Sequence, residues 1–168
     1  MRNLSNFLSA TLLATVIVAP QAGADWNVDG PANTYDAQNI VIVVSENPRS
    51  NPERTCLAVT LGKALAYNGA REHNVTIFAT LDGTALGRKS VVKSRRFKCV
   101  QSDGSEISLK KNLEQFLAGN DNNMVLCPIC YKERYGDKEP DYGVLPGLDV
   151  SGFAVIDVLS NADKIIDF

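Results

Sequence analysis

Ile40-Val41-Ile42-Val43-Val44 is an unbroken run of β-branched residues. A strand wetted on one face would alternate apolar and polar positions, and this run does not alternate. It suits a strand covered on both faces, as in the interior of a parallel sheet. Val75-Thr76-Ile77-Phe78-Ala79 and the stretch ending Val125-Leu126-Cys127 have the same character. Helical patterns lie between them. Asn51-Pro52-Glu53 reads as a cap, a proline at the first helical position and an acid in the first turn. Leu57, Leu61 and Leu65, flanked by Ala58 and Ala64, follow at helical spacing until Gly69. Residues 105–117 give a second helix with Ile107, Leu109, Leu113, Phe116 and Leu117 apolar, closed by Gly119. Leu148-Asp149-Val150 is a short strand, Ser151 caps a helix running to Leu159, and residues 164–168 form a last strand. This alternation predicts βαβ units: an α/β fold in which a mostly parallel sheet lies between two helical layers.

In such sheets ligands meet the carboxyl ends of the strands, so the loops after Val44, after Ala79 and at Cys127 should open on one edge. The third of these carries sulfur. Cys127-Pro128-Ile129-Cys130 follows the apolar run directly, and Tyr131-Lys132-Glu133-Arg134 has the composition of a short helix. A strand that hands over to a helix at Cys127 places that sulfur at a helix N-terminus. Unpaired N–H groups and the positive end of the helix dipole favour a thiolate there. Pro128 suits the first helical position. Cys127 is therefore expected to be the low-pKa, reactive thiol and Cys130 the resolving thiol one turn on. The plain alternative makes both cysteines small apolar fillers or partners in a structural disulfide. Cys56 lies beside the leucine stripe of the first helix and reads as core or helix-edge filler; the pairing of Cys99 is open.

The compartment follows from residues 1–24. Arg2 precedes an apolar stretch from Phe7 to Ala19, and Ala22-Gly23-Ala24 is a small-x-small cleavage site. This is the pattern of a secretory leader, too short and wrongly flanked for a membrane span. The chain is expected to be periplasmic or secreted, with residues 25–38 an irregular arm and 39–168 a single domain. Export permits disulfides, but four cysteines in 168 residues are too few to replace a hydrophobic core. The formal charge of −2 speaks against nucleic acid as the main partner. The single histidine, His73, rules out a Cys2His2 zinc site, and Tyr131 stands where haem attachment would need histidine. No cofactor and no metal are expected. Residues 88–98 are basic, with Arg88, Lys89, Lys93, Arg95, Arg96 and Lys98, and read either as a solvated loop or as a lure for an anionic compound. The proline- and glycine-containing stretch 137–147 has the length of a lid or an interface loop.

Taken in order, these features resemble the DsrE/DsrF-like family, which includes the TusD-type sulfur carriers. The resemblance rests on Ile40–Val44 with its polar loop and Ala/Leu helix, Val75–Ala79 with Asp82-Gly83, Val125-Leu126-Cys127 with Cys130, Leu145-Pro146-Gly147-Leu148 and the helix over 155–163. It implies a three-layer α/β/α fold and homo- or hetero-oligomers, often trimers or hexamers. Cys127 falls where sulfur-carrying members hold their persulfide cysteine. The expected function is thus that of an exported sulfur-relay protein, a sulfurtransferase or sulfur carrier with the persulfide on Cys127. Its partners would be a donor or acceptor protein or a small sulfur compound, with no stable membrane insertion once the leader is removed. The leader and the second thiol, Cys130, depart from the cytoplasmic members, and a neighbouring thiol can attack a persulfide. The alternatives are a thiol–disulfide oxidoreductase using Cys127 and Cys130, or a non-catalytic oligomeric binding module.

Overall fold

Five parallel strands form the main sheet. In chain order the elements are β1 (Asn39–Val44), α1 (Pro52–Ala66), β2 (Asn74–Ala79), a 3-10 turn (Leu81–Gly87), α2 (Lys89–Val92), β3 (Lys98–Val100), β4 (Glu106–Ser108), α3 (Leu109–Leu117), β5 (Asn123–Leu126), α4 (Pro128–Tyr135), β6 (Leu148–Asp149), α5 (Gly152–Ser160) and β7 (Lys164–Asp167). The strand order is β6-β5-β2-β1-β7, with β3 and β4 forming a separate antiparallel pair. The structure, a computed structural model, describes residues 37–66, 73–101, 103–119, 122–141, 145 and 148–168. The expected leader, the arm up to residue 36 and the helix stop at Gly69 lie outside the described residues. Those described belong to one unit, Tyr35–Phe168.

The β-branched run does what its composition requires. Ile40, Ile42 and Val44 point to one face of the sheet with Val75, Ile77, Ala79, Met124 and Leu126, and all are buried. Register pairs Ile42 with Ile77 and Ala79 with Leu126, so these side chains stack across neighbouring strands. The helices packed on this face add Val59, Leu109, Leu113 and Phe116. Among the described residues, the opposite face, with Val41, Phe78 and Val125, is covered by Ala154, Val155 and Val158 of α5 and by Ala162. The expected α/β fold is present, and among the described residues its two helical layers are very unequal.

Local differences from the sequence reading have physical causes. Residues 106–108 are strand rather than helix, because Ile107 pairs with Cys99 across the β3–β4 ladder. The true cap of α3 is Ser108, whose side chain accepts from the Lys111 amide at 3.2 Å. Cys56 is not a filler: it forms a disulfide with Cys99, with Cα atoms 5.1 Å apart, and ties α1 to β3. The basic stretch is not one loop, since it holds α2 and β3. The described part of stretch 137–147 is anchored rather than free. The Asp141 amide donates to Gly87 O at 2.9 Å, and the Asp141 carboxylate accepts from the Lys89 amide at 2.7 Å.

Candidate functional site

Two adjacent strands build the site. β5 ends at Leu126, and the Cys127 amide donates to Ala79 O at 2.9 Å, so the two strand ends stay in register. The next residue after β2, Thr80, donates its amide to Val44 O at 3.0 Å. The loops after Val44, Ala79 and Leu126 therefore converge on the carboxyl edge, as the alternation of elements implied. Cys127 caps α4: its Sγ accepts the Cys130 amide at 3.3 Å, with Pro128 at the first helical position. One turn on, Cys130 Sγ lies 3.4 Å from Thr80 Oγ1. Both cysteines are free thiols and half-buried.

The chain enters the 3-10 turn through Leu81, a non-glycine residue with φ of 47°. Holding a leucine in the left-handed region costs roughly 1–3 kcal/mol. The Leu81 amide favours negative charge on Cys130. Arg134, four residues beyond Cys130, reaches back to Cys130 O at 3.4 Å and pairs with Asp82 at 2.5 Å. Helical spacing thus puts a guanidinium beside the second thiol.

These partners reverse the expected order of the thiols. Burial pushes the Cys127 thiol up, and the neighbouring Cys130 thiol adds to this against the Cys130 amide and the Thr80 hydroxyl, which favour charge. Burial also opposes charge on Cys130. There it is outweighed by the Cys127 thiol, Thr80 and the Leu81 amide and by the Arg134 charge, which hold that thiol below its ordinary value. The helix-terminus argument counted the amides of the first helical turn for Cys127 and nothing for Cys130. The pair titrates as a unit. Its alkylation rate is expected to rise with pH in two steps, because only thiolates react. The first step should fall below and the second above the free-thiol value of about 8.5. A single step at that value for both sulfurs, in rate-against-pH measurements, would contradict the coupling.

The basic residues separate. Arg88 turns inward, donating to Tyr131 Oη at 2.9 Å and lying 5.5 Å from the centre of the Tyr135 ring. Lys93, Arg95, Lys98 and Lys110 instead line an open groove of about 630 Å³ with Ser94 and Ser108. Among these cations Lys110 pairs with Glu114, and no carboxylate lines the groove. A cleft of about 370 Å³ lies at the far, amino edge of the sheet beside Asn39, Asn74, Asp157 and Asn161. Among the described residues, no group of three or more His, Cys, Asp or Glu could hold a metal ion. No helix there is long and apolar enough to cross a membrane.

No family model matches the sequence, and no curated protein matches it. Solved structures do. The YchN protein of Escherichia coli is similar over 78% of this chain and 99% of its own, with a TM-score of 0.54 and 20% identity. A conserved protein of unknown function from Bacteroides thetaiotaomicron covers 77% of this chain and 93% of its own, with a TM-score of 0.50 and 12% identity. The fold is DsrE-like. At these identities the likeness concerns the fold.

Proposed function

We propose that this chain is an exported DsrE-like sulfur-relay protein. It accepts sulfane sulfur and passes it on as a cysteine persulfide at the Cys127/Cys130 pair, with Cys127 the carrier in the reading taken from the resemblance. One observation carries the proposal: two half-buried free thiols, tied together by the Cys130 amide on Cys127 Sγ at 3.3 Å, stand at the carboxyl edge of a parallel sheet. The other two cysteines are engaged with each other, so the disulfide leaves this pair available. The groove lined by Lys93, Arg95, Lys98 and Lys110 supports attraction of an anionic donor or an acidic partner surface.

The placement of the two thiols one helical turn apart, with the Cys130 amide on Cys127 Sγ at 3.3 Å, also favours a second reading, thiol–disulfide exchange, which uses both sulfurs. Mass spectrometry of protein purified from the exported fraction without reductant separates the two. Sulfur relay predicts a gain of about 32 Da on the peptide holding the pair, and exchange predicts a loss of about 2 Da. The same intact mass should correspond to a chain beginning at Asp25. Unmodified thiols after exposure to polysulfide would leave the relay reading without support.

The proposed protein associates with itself. Phe153 (86% exposed) and Ile156 (65%) of α5 stand out from the thin helical layer, with Ile165 (57%) of β7 on the same side. A second copy would cover this apolar surface. Light scattering at tens of micromolar is expected to show an oligomer, since specific interfaces of ordinary size hold at roughly micromolar or better. A monomer there would count against it.

A further inference from the structure

We infer that the sulfur which attacks the donor is Cys130, held as the nucleophile between Thr80 and the Asp82-anchored Arg134, and that Cys127 is its partner rather than the carrier. The inference rests on the sulfur-relay reading for its substrate, an inorganic polysulfide, but not for its nucleophile.

Donors decide between the two sulfurs. Cys127 Sγ accepts one amide, that of Cys130, at 3.3 Å. The Thr80 hydroxyl, which also favours charge on Cys127, stands 3.4 Å from Cys130 Sγ, and the Arg134 guanidinium reaches Cys130 O at 3.4 Å. Arg134 is fixed beside it by Asp82, so its charge stays near the sulfur. A negative sulfur is stabilised where donors converge. The same donors suit the terminal sulfur of a persulfide, which is also an anion.

The step balances without an added oxidant. Cys130 thiolate attacks a terminal sulfur of tetrasulfide; the Cys130 Sγ–S bond forms and the adjacent S–S bond of the donor breaks. Trisulfide leaves with the electron pair, and Cys130 carries the persulfide anion. Attack by a Cys127 thiolate on Cys130 Sγ would expel hydrosulfide and close a disulfide. Burial raises the Cys127 thiol's pKa, and a thiol slow to ionise delays that discharge. Sulfur therefore stays on the pair until an acceptor thiolate takes the outer atom.

The test uses the full chain with single substitutions, sodium tetrasulfide and, separately, iodoacetamide. Cys127→Ser is expected still to gain one sulfur, on Cys130, more slowly than the wild type because a group favouring the Cys130 thiolate is lost, and to hold it longer. Cys130→Ser should load at least about tenfold more slowly, following the thiolate fraction. Thr80→Val should slow iodoacetamide labelling of Cys130 several-fold, and Arg134→Lys should keep more of the rate than Arg134→Gln. Fast loading of Cys130→Ser with none in Cys127→Ser would overturn the assignment and leave sulfur relay standing. Failure of every protein to load, with Cys130 still the faster labelled, would remove the substrate and keep the nucleophile. Slower labelling of Cys130 than of Cys127 would overturn the inference whichever substrate is right. Circular dichroism of each variant shows whether it is folded, and a variant that fails to fold is replaced by Cys130→Ala or Cys127→Ala.

Discussion

Replacing Cys56 and Cys99 together by alanine is expected to lower the unfolding free energy by about 4 kcal/mol. The bond spans a sequence separation of 43 residues, and closing a loop of that length restricts the unfolded chain by about this amount in the loop-entropy account. Both sulfurs are buried, so the native state also loses packing between α1 and β3. The melting temperature should fall by roughly 10–20 °C for a domain of this size. Thermal and urea unfolding of the wild type and the double variant measure it. A shift of only a degree or two would mean that the bond does not form in the folded protein. Thiol titration of the wild type should find Cys127 and Cys130 alone free.

Gly83→Ala should cost about 2–3 kcal/mol, by overpacking against backbone that cannot yield. A β-carbon on Gly83 would lie 2.0 Å from Val44 O, because the 3-10 turn is pressed onto the end of β1. The Gly83 amide bonds Ser45 O at 3.1 Å and Thr80 O at 2.8 Å, so the turn cannot swing away without losing both. Relief of the clash has to displace Thr80 and Leu81, which hold Cys130. The variant should therefore also label more slowly at Cys130, toward the rate of an ordinary thiol. An unchanged urea midpoint together with unchanged labelling would show that the turn has room the geometry denies it.

Much of this architecture is legible locally. The run from Ile40 to Val44 shows its double-sided burial in its own composition, and the caps at Asn51 and Ser151 show in three residues each. The fold followed because βαβ alternation leaves few other arrangements. What local spacing hid were contacts between distant segments. Ser105-Glu106 looks like a helix start until Ile107 is paired with Cys99. Cys56 looks like filler until β3 arrives beside it. At the site, both thiols were readable from their spacing, but their order of acidity was not. Thr80 and Leu81 reach Cys130 from the end of another strand, about fifty positions earlier in the chain. Arg134 alone was within local reach, four residues after Cys130.

The two cysteine pairs sit at very different depths, and this sets the speed at which each answers its surroundings. Exchange needs a thiolate to approach a disulfide along the sulfur–sulfur axis. Cys99 is fully buried and Cys56 nearly so, while Cys127 and Cys130 are half-open at the sheet edge. A small thiol or an oxidant therefore reaches the edge pair within the folded molecule but reaches the inner bond only when β3 lifts from α1. On the proposed relay reading, the edge pair would pass many times through dithiol, persulfide and disulfide forms while the inner bond stays shut. Scrambling among the four sulfurs is blocked by the slow opening of a covered strand rather than by any difference in bond strength.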